Sequence, residues 1–438
     1  MEILVSYQMY IICIIQFVHF LWYVINVRKK YGYLLDFWTY VLIVYNVVFY
    51  FLLYPFAKST ENENFIGDAL SRLSSHVDQA FLIVTVGYIG IWAGKYFYLR
   101  NVKLYLSPDI KIWKIANPFK RIINSKNALL VLFIMFLPAF LFVIKEALLS
   151  QNIFDVRSKL GESNTERPFY NVAMSMYPFF IGAVGTLYLL RKKIKYLFMF
   201  LLLLGFSFVF GSRGAAFTAV AQVLFLYVGT RREKIGWLSL SITGIVLIVL
   251  IIAFGIMRGG IDSLDNKNIL FTFLYGNTFS DLRDFAWFLS YWDDELILGK
   301  TYLSGLLSFI PSGLLDFRSI WSLGKVTTRF TGLTEGFHGG LRITLFGESY
   351  INFGIIGVVL FSFTFGYLLE SVNRRVMTFI SRDLLVDAFA MMLMSIVLFS
   401  IMITASFFTL YVMYMPVLFL TLCLVKKEAK PASNYSYP

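Results

Sequence analysis

The chain has 438 residues, of which 58% are hydrophobic and only 15% charged, with a net charge of +13. Soluble domains carry about 25% charged residues, so a soluble core is excluded and the bilayer must be the solvent. The basic excess is spread over short separate segments, which disfavours a nucleic-acid partner.

Aromatic residues make up 18% of the chain, with 46 Phe and 27 Tyr, as suits lipid-facing helices with interfacial belts. Two cysteines, Cys13 and Cys423, both lie in apolar stretches. They exclude a disulfide framework or a cysteine metal site and read as inert buried thiols.

A membrane span needs about 20 mostly apolar residues. The apolar run at the N-terminus has no basic region in front, is too long for a signal-peptide core, and reads as the first span. In chain order the expected spans are 4–26, 34–54, 79–99, 127–149, 170–190, 196–211, 214–230, 235–257, 350–369, 384–404 and 406–425, eleven in all. Residues 1–256 thus hold spans one to eight, 257–349 a long loop, 350–425 the last three spans, and 426–438 a polar tail. The fold class expected is an all-α polytopic membrane protein.

Alternate loops of such a protein should differ in Lys/Arg content, the rich set being cytoplasmic. One set, including Arg28-Lys29-Lys30, 95–126 and Arg191 to Lys195, sums to +18, and the other sums to −3. The N-terminus is therefore expected outside and the C-terminus inside. The stretch 95–126 mixes Lys with Ile, Leu, Trp113 and Phe119. It reads either as an amphipathic segment on the inner surface or as a solvated connector.

Span interiors hold almost no ionisable groups; Asp36, Lys145, Glu146 and Asp387 fall near span ends. This disfavours an ion-coupled transporter with its site at mid-depth. His19 and His76 read as structural. Polar residues gather instead in the 257–349 loop, which has eight Lys/Arg and ten Asp/Glu by the count to Glu348, with Trp287, Trp292 and Trp321 among them. A structureless loop of that length would be unusual. Thr278 with Asp281 reads as a capping box opening a helix over 279–292, with Leu282, Phe285, Leu289 and Trp292 on one side. A second short helix is expected over 301–309, stopped by Pro311. The loop reads as a helical cap on the outer face.

Three basic clusters converge there. Gly211-Ser212-Arg213-Gly214 forms the turn at which span seven begins, where free helix N–H groups and an Arg fork can hold phosphate oxygens. Arg213 can equally anchor a hairpin turn at the headgroups. Arg258-Gly259-Gly260 follows span eight, where Arg258 also fits an ordinary boundary role. The run RFTGLTEGFHGGLR, Arg329 to Arg342, sets Glu335 and His338 three residues apart among glycines, and either can serve as a base; a plain flexible loop is the bland reading. Trp287 and Trp292 fit interfacial anchors or sugar platforms. Several arginines and a Glu/His pair on one face suit a pyrophosphate-linked lipid, with its tail between spans and its headgroup under the cap.

The stretch LFGESYINFGIIGVVL, Leu345 to Leu360, resembles the segment leading from the large outer loop into the next span in Wzy-type O-antigen and capsular polysaccharide polymerases. The GSRG turn at Gly211 to Gly214 is similar to an arginine turn of that family, and the layout of spans and loop matches. The sequence resemblance covers two short patches. It implies a GT-C-like, multi-pass glycosyltransferase of the bacterial inner membrane with its active site facing the periplasm. Such an enzyme joins undecaprenyl-pyrophosphate-linked repeat units, with no cofactor and no metal. Its implied partners are that lipid-linked oligosaccharide, membrane lipid, a chain-length regulator and a flippase, but no nucleic acid.

The resemblance then gives Arg213 and Arg258, with Ser212 supporting, to the donor pyrophosphate. Arg342 and Arg329 would help there or hold the acceptor's carrier, and Glu335 or His338 would take the acceptor's proton. Glu348 and Tyr350 would orient neighbours or cap span nine. The rival readings are an O-antigen ligase of lipopolysaccharide, a lipid-linked oligosaccharide flippase and a membrane acyltransferase.

Overall fold

The computed structural model describes residues 2–33, 35–59, 68–103, 112–150, 160, 166–209, 213–231, 281–293, 295–310, 314–331 and 340–424. Among them the chain is all-helical, with no strand. The helices are α1 (Glu2–Tyr31), α2 (Phe37–Val44), α3 (Val47–Ser59), α4 (Asp68–Lys103), α5 (Ile112–Asn124), α6 (Lys126–Leu149), α7 (Arg167–Arg191), α8 (Ile194–Val209) and α9 (Arg213–Arg231). After them come α10 (Asp281–Leu289), α11 (Lys300–Leu306), α12 (Asp316–Trp321), α13 (Leu323–Thr331), α14 (Thr344–Ser381), α15 (Leu385–Thr404) and α16 (Met415–Leu424). A single 3₁₀ turn, Leu307–Phe309, extends α11, and a π-helical turn, Leu410–Tyr414, precedes α16.

Six of these helices are long and apolar enough to cross a membrane. The bent pair α2 and α3, which meet at 56°, makes a seventh. Ile194–Phe206, Phe217–Arg231 and Leu410–Leu424 are shorter apolar helices. The chain is a helical, multi-pass membrane protein. The stretch 235–257, expected to be a span, and the 426–438 tail lie outside the described residues. On α1 the lipid-facing side is plain: Ile11, Ile14, Ile15, Val18 and Trp22 are all exposed, while Cys13, Phe20 and Val24 are buried. Cys423, expected buried, is exposed. It sits on α16 beside the exposed Phe419, Leu422 and Leu424, so a lipid-facing thiol is the correction.

α4 and α14 form the most extensive helix pair. Their approach is backbone to backbone: a Cβ on Gly94 would sit 2.0 Å from the Phe363 carbonyl oxygen, and one on Gly366 2.0 Å from that of Ile91. Without a hydrophobic drive between helices in lipid, such small residues set how closely spans can pack. α15 closes on the same unit, and α7 pairs with α9, α8 and α6. α5 buries Ile112, Ala116, Phe119, Ile122 and Ile123 against α15 and α16. Part of the 95–126 stretch is therefore an amphipathic helix seated on protein rather than a solvated connector.

Two of the spans are broken, and the breaks join the membrane body to the helices that follow residue 280. In the α2/α3 pair the chain turns at Asn46, with φ of 60°, and the Asn46 amide donates to Asp281 on α10 at 3.3 Å. α14 is interrupted at Gly354, with φ of 64° and ψ of −158°, a conformation open to glycine. A helix break leaves carbonyls without intrahelical partners. Here the Ile351 carbonyl accepts from Ile297 N–H at 3.0 Å and the Asn352 carbonyl from Leu298 N–H at 3.1 Å. Asn352 Oδ1 takes the Gly299 N–H at 2.9 Å. α10 to α13 thus form a cap fastened to both breaks.

A further polar network is buried where α1, α2, α4 and α14 meet. Lys95 Nζ lies 3.3 Å from Glu370 and donates to the Tyr23 hydroxyl at 2.5 Å, with the faces of Trp38 and Tyr23 about 4 Å away. Tyr23 donates in turn to Asp36 at 2.5 Å. Asn373 donates to Glu370 and accepts from Trp38 N–H. Asp36 also caps α2 by accepting from Thr39 N–H at 2.9 Å. Lys95 and Glu370, read from sequence as loop charges, are each 4% exposed.

Candidate functional site

α10 is the first helix of the cap, and the four residues expected on its apolar side, Leu282, Phe285, Leu289 and Trp292, are all buried. The helix spans Asp281–Leu289, shorter than 279–292, and Thr278 of the expected capping box lies outside the described residues. It packs on α3 and α4. Trp292 stands just beyond its end, edge-on to Phe330 at 4.8 Å and tilted on Phe288 at 5.2 Å. Trp292 therefore belongs to the core of the cap, and serves neither as an interfacial anchor nor as an open sugar platform. The expected 301–309 helix is present as α11 with its 3₁₀ turn.

At the N-terminal end of α10 charges gather. Arg283 pairs with Asp284 at 2.9 Å, and Asp284 accepts from the Arg342 N–H at 3.3 Å. Asp281 is 5% exposed. Burial pushes its carboxyl up from 3.8 to about 6, against the lowering pull of Arg342 and the Asn46 hydrogen bond. Asp281, Leu282, Asn46, Phe49 and Tyr50 line a narrow crevice. Tyr50 is hydrogen-bonded to Thr344 at the start of α14.

This carboxyl has a stability consequence. Its folded pKa lies above its unfolded one, so the folded state binds more protons between the two values. Stability should be greatest below about pH 4 and fall as pH rises to about 6. Asp281→Asn is expected to flatten that slope in a pH series of thermal unfolding in detergent. An unchanged slope would show that another group sets it.

Arg342 is exposed and faces Asp281 and Asp284, so part of its charge is compensated within the protein. Arg329 is also exposed, its guanidinium 5.0 Å from the Trp321 ring and 5.3 Å from that of Phe330. Lys300 lies over the same Trp321 ring at 4.1 Å. Phe330 packs on Phe288 and Trp292 at the C-terminal end of α10, while the Leu341 N–H, next to Arg342, donates to Thr327 of the helix that carries Arg329 at 3.0 Å. Arg213 is the first residue of α9, where a turn was expected to hand over to a span; its side chain is not described. Ser212, Arg258, Glu335 and His338 lie outside the described residues.

The stretch Leu345 to Asn352 is almost wholly buried. Phe346 enters the notch at Gly87 of α4 and meets Tyr50 edge-on at 5.4 Å. Tyr350 meets Phe285 of α10 at 6.4 Å. Glu348, counted in sequence among the loop charges, is 0% exposed and one helical turn before the break. Neither of its carboxylate oxygens has a hydrogen-bond partner. The Thr301 hydroxyl of α11 approaches it while accepting from Asn352 Nδ2 at 2.7 Å. Nothing in the linear order marked Glu348 as buried, because an acid just ahead of an apolar run reads as a boundary residue. The cue available was the NFG that follows it, which supplies the break.

No protein-family model, curated protein or solved structure matches the chain.

Proposed function

We propose that this protein is a polymerase of lipid-linked glycans. It takes undecaprenyl-pyrophosphate-linked oligosaccharide repeat units on the periplasmic side of a bacterial inner membrane. It then moves the growing chain from its carrier onto a hydroxyl of the next unit. The reading takes eleven spans, the N-terminus outside and the cap in the periplasm, in line with the Lys/Arg asymmetry of the loops. The observation that carries it is the Leu345 to Leu360 stretch. The residues that resemble the polymerases are also those at which the cap is fastened to a broken span, with Ile351 and Asn352 accepting from Ile297 and Leu298.

In this reading an acceptor hydroxyl gives its proton to Glu335 or His338. Its oxygen then forms a bond to the anomeric carbon of the donor chain. The bond from that carbon to the pyrophosphate breaks, and undecaprenyl pyrophosphate leaves with the electron pair. Arg213 and Arg258 stabilise the charge that grows on the leaving group. Arg342 and Arg329 would help there or hold the carrier of the acceptor, with Arg329 and Lys300 flanking Trp321 as one basic edge of the cap. No sugar nucleotide enters.

The test is the glycan profile of a strain lacking the protein. Accumulation of single repeat units on lipopolysaccharide supports the reading. Loss of all O-antigen would make the protein a ligase, and an unchanged profile would remove it from glycan assembly.

A further inference from the structure

Glu348 poses a problem that the proposed function does not use. A carboxylate enclosed in a membrane helix, with no ion-pair partner among the described residues and only the Thr301 hydroxyl approaching it, is strongly disfavoured unless something neutralises it. Four observations bear on what does so. The first is that, among the described residues, neither oxygen of this 0% exposed side chain has a partner in hydrogen-bond geometry, the Thr301 hydroxyl only approaching. The second is the helix that brings Thr301 to it. Thr301 and Ser304 stand three residues apart on α11, hence on one side of that helix. They are 2% and 1% exposed, and the Ser304 hydroxyl has no partner.

The third is Tyr302. Its hydroxyl is likewise buried and unpartnered, and close enough to the Glu348 carboxylate to feel its charge. The Tyr302 ring is fixed by stacking on Phe353 and Phe361 at 6.1 and 4.9 Å. The fourth is the break at Gly354. It makes Thr344 to Phe353 a half-helix whose negative, C-terminal end lies one turn beyond Glu348. Half-helix C-termini in membranes are places where Na⁺ is coordinated.

These groups are all oxygen donors, carry a single negative charge, and are enclosed. A proton alone would neutralise Glu348 but leave the Ser304 and Tyr302 hydroxyls unpartnered. We infer that Glu348, with the hydroxyls of Thr301, Ser304 and Tyr302, forms a binding site for a monovalent alkali cation of the size of Na⁺. The ion ties α11 of the cap to α14 beside the break. This site is separate from the glycan chemistry proposed above and stands or falls without it.

The experiment uses the purified full-length protein in detergent at fixed pH. Thermal unfolding is followed as NaCl replaces choline chloride at constant ionic strength. The expected result is a saturable rise of about 5 °C at high Na⁺ occupancy that is absent in Glu348→Gln. Ser304→Ala should keep the rise but shift its midpoint to higher Na⁺. It also serves as the probe where Glu348→Gln fails to fold. Equal unfolding temperatures in NaCl and choline chloride, as simple protonation of Glu348 would give, overturn the site. So does an undiminished Na⁺ response in Glu348→Gln, or an unshifted midpoint in Ser304→Ala.

Discussion

Replacing Arg213 with Ala is expected to abolish glycan extension while leaving the protein in the membrane at its normal level. The expectation rests on the proposed polymerase reading. Arg213 opens α9, at a helix end that offers free N–H groups and a positive dipole, and the proposed reading assigns its guanidinium to the leaving pyrophosphate. Removing one preorganised donor from a developing anion costs roughly a hundred- to a thousandfold in rate. A processive polymerase losing that much would leave single units where the wild type leaves long chains. Arg213→Lys should recover only part of this, because an ammonium lacks the bidentate fork. The measurement is the polymer ladder from a deletion strain carrying each variant, beside an immunoblot of the membrane fraction. A full-length ladder from Arg213→Ala would take Arg213 out of the mechanism.

The second large effect is structural. Glu370→Ala should leave Lys95 buried without its counter-ion among Tyr23, Trp38 and Trp92. Breaking one side of a buried ion pair typically costs about 3–5 kcal/mol. Both side chains here are 5% exposed, so solvent does little to soften the loss. Replacing both partners, as in Lys95→Met with Glu370→Leu, removes the orphaned charge and should recover most of the stability. The residue left over is Asp36, which keeps Tyr23 and Thr39 as donors. Thermal unfolding of the three proteins in the same detergent decides the matter. A single variant as stable as the wild type would mean that Lys95 reaches water by another route.

These two cases show how far the chain could be read in advance. Span positions were legible because lipid demands long apolar runs whatever the fold. Accordingly 127–149 and 170–190 fall within a few residues of α6 and α7. The amphipathic side of α10 was legible too, since Leu282, Phe285 and Leu289 recur at helical spacing. Lys95 and Glu370 were not. A lysine at the end of an apolar run reads the same whether it reaches the interface or pairs with an acid far along the chain, and only α4 lying against α14 distinguishes the two. The burial of Glu348 was not legible for a related reason: the run after it begins with a half-helix, and burial of that half-helix depends on the cap. The Asn46 turn carries no proline and no glycine, so it left no trace in the local pattern; the partner that holds it, Asp281, comes from a distant segment. The candidate base pair, Glu335 and His338, stays a reading of chemistry in a glycine-rich run.

The most direct test of the account is extension by the protein alone. The purified full-length protein, in liposomes, would be given an undecaprenyl-pyrophosphate-linked oligosaccharide repeat unit, with no sugar nucleotide and a chelator present. The account predicts products lengthened by whole repeat units and release of one undecaprenyl pyrophosphate for each bond formed. Liposomes containing the folded protein that yield nothing longer than the supplied unit would contradict it.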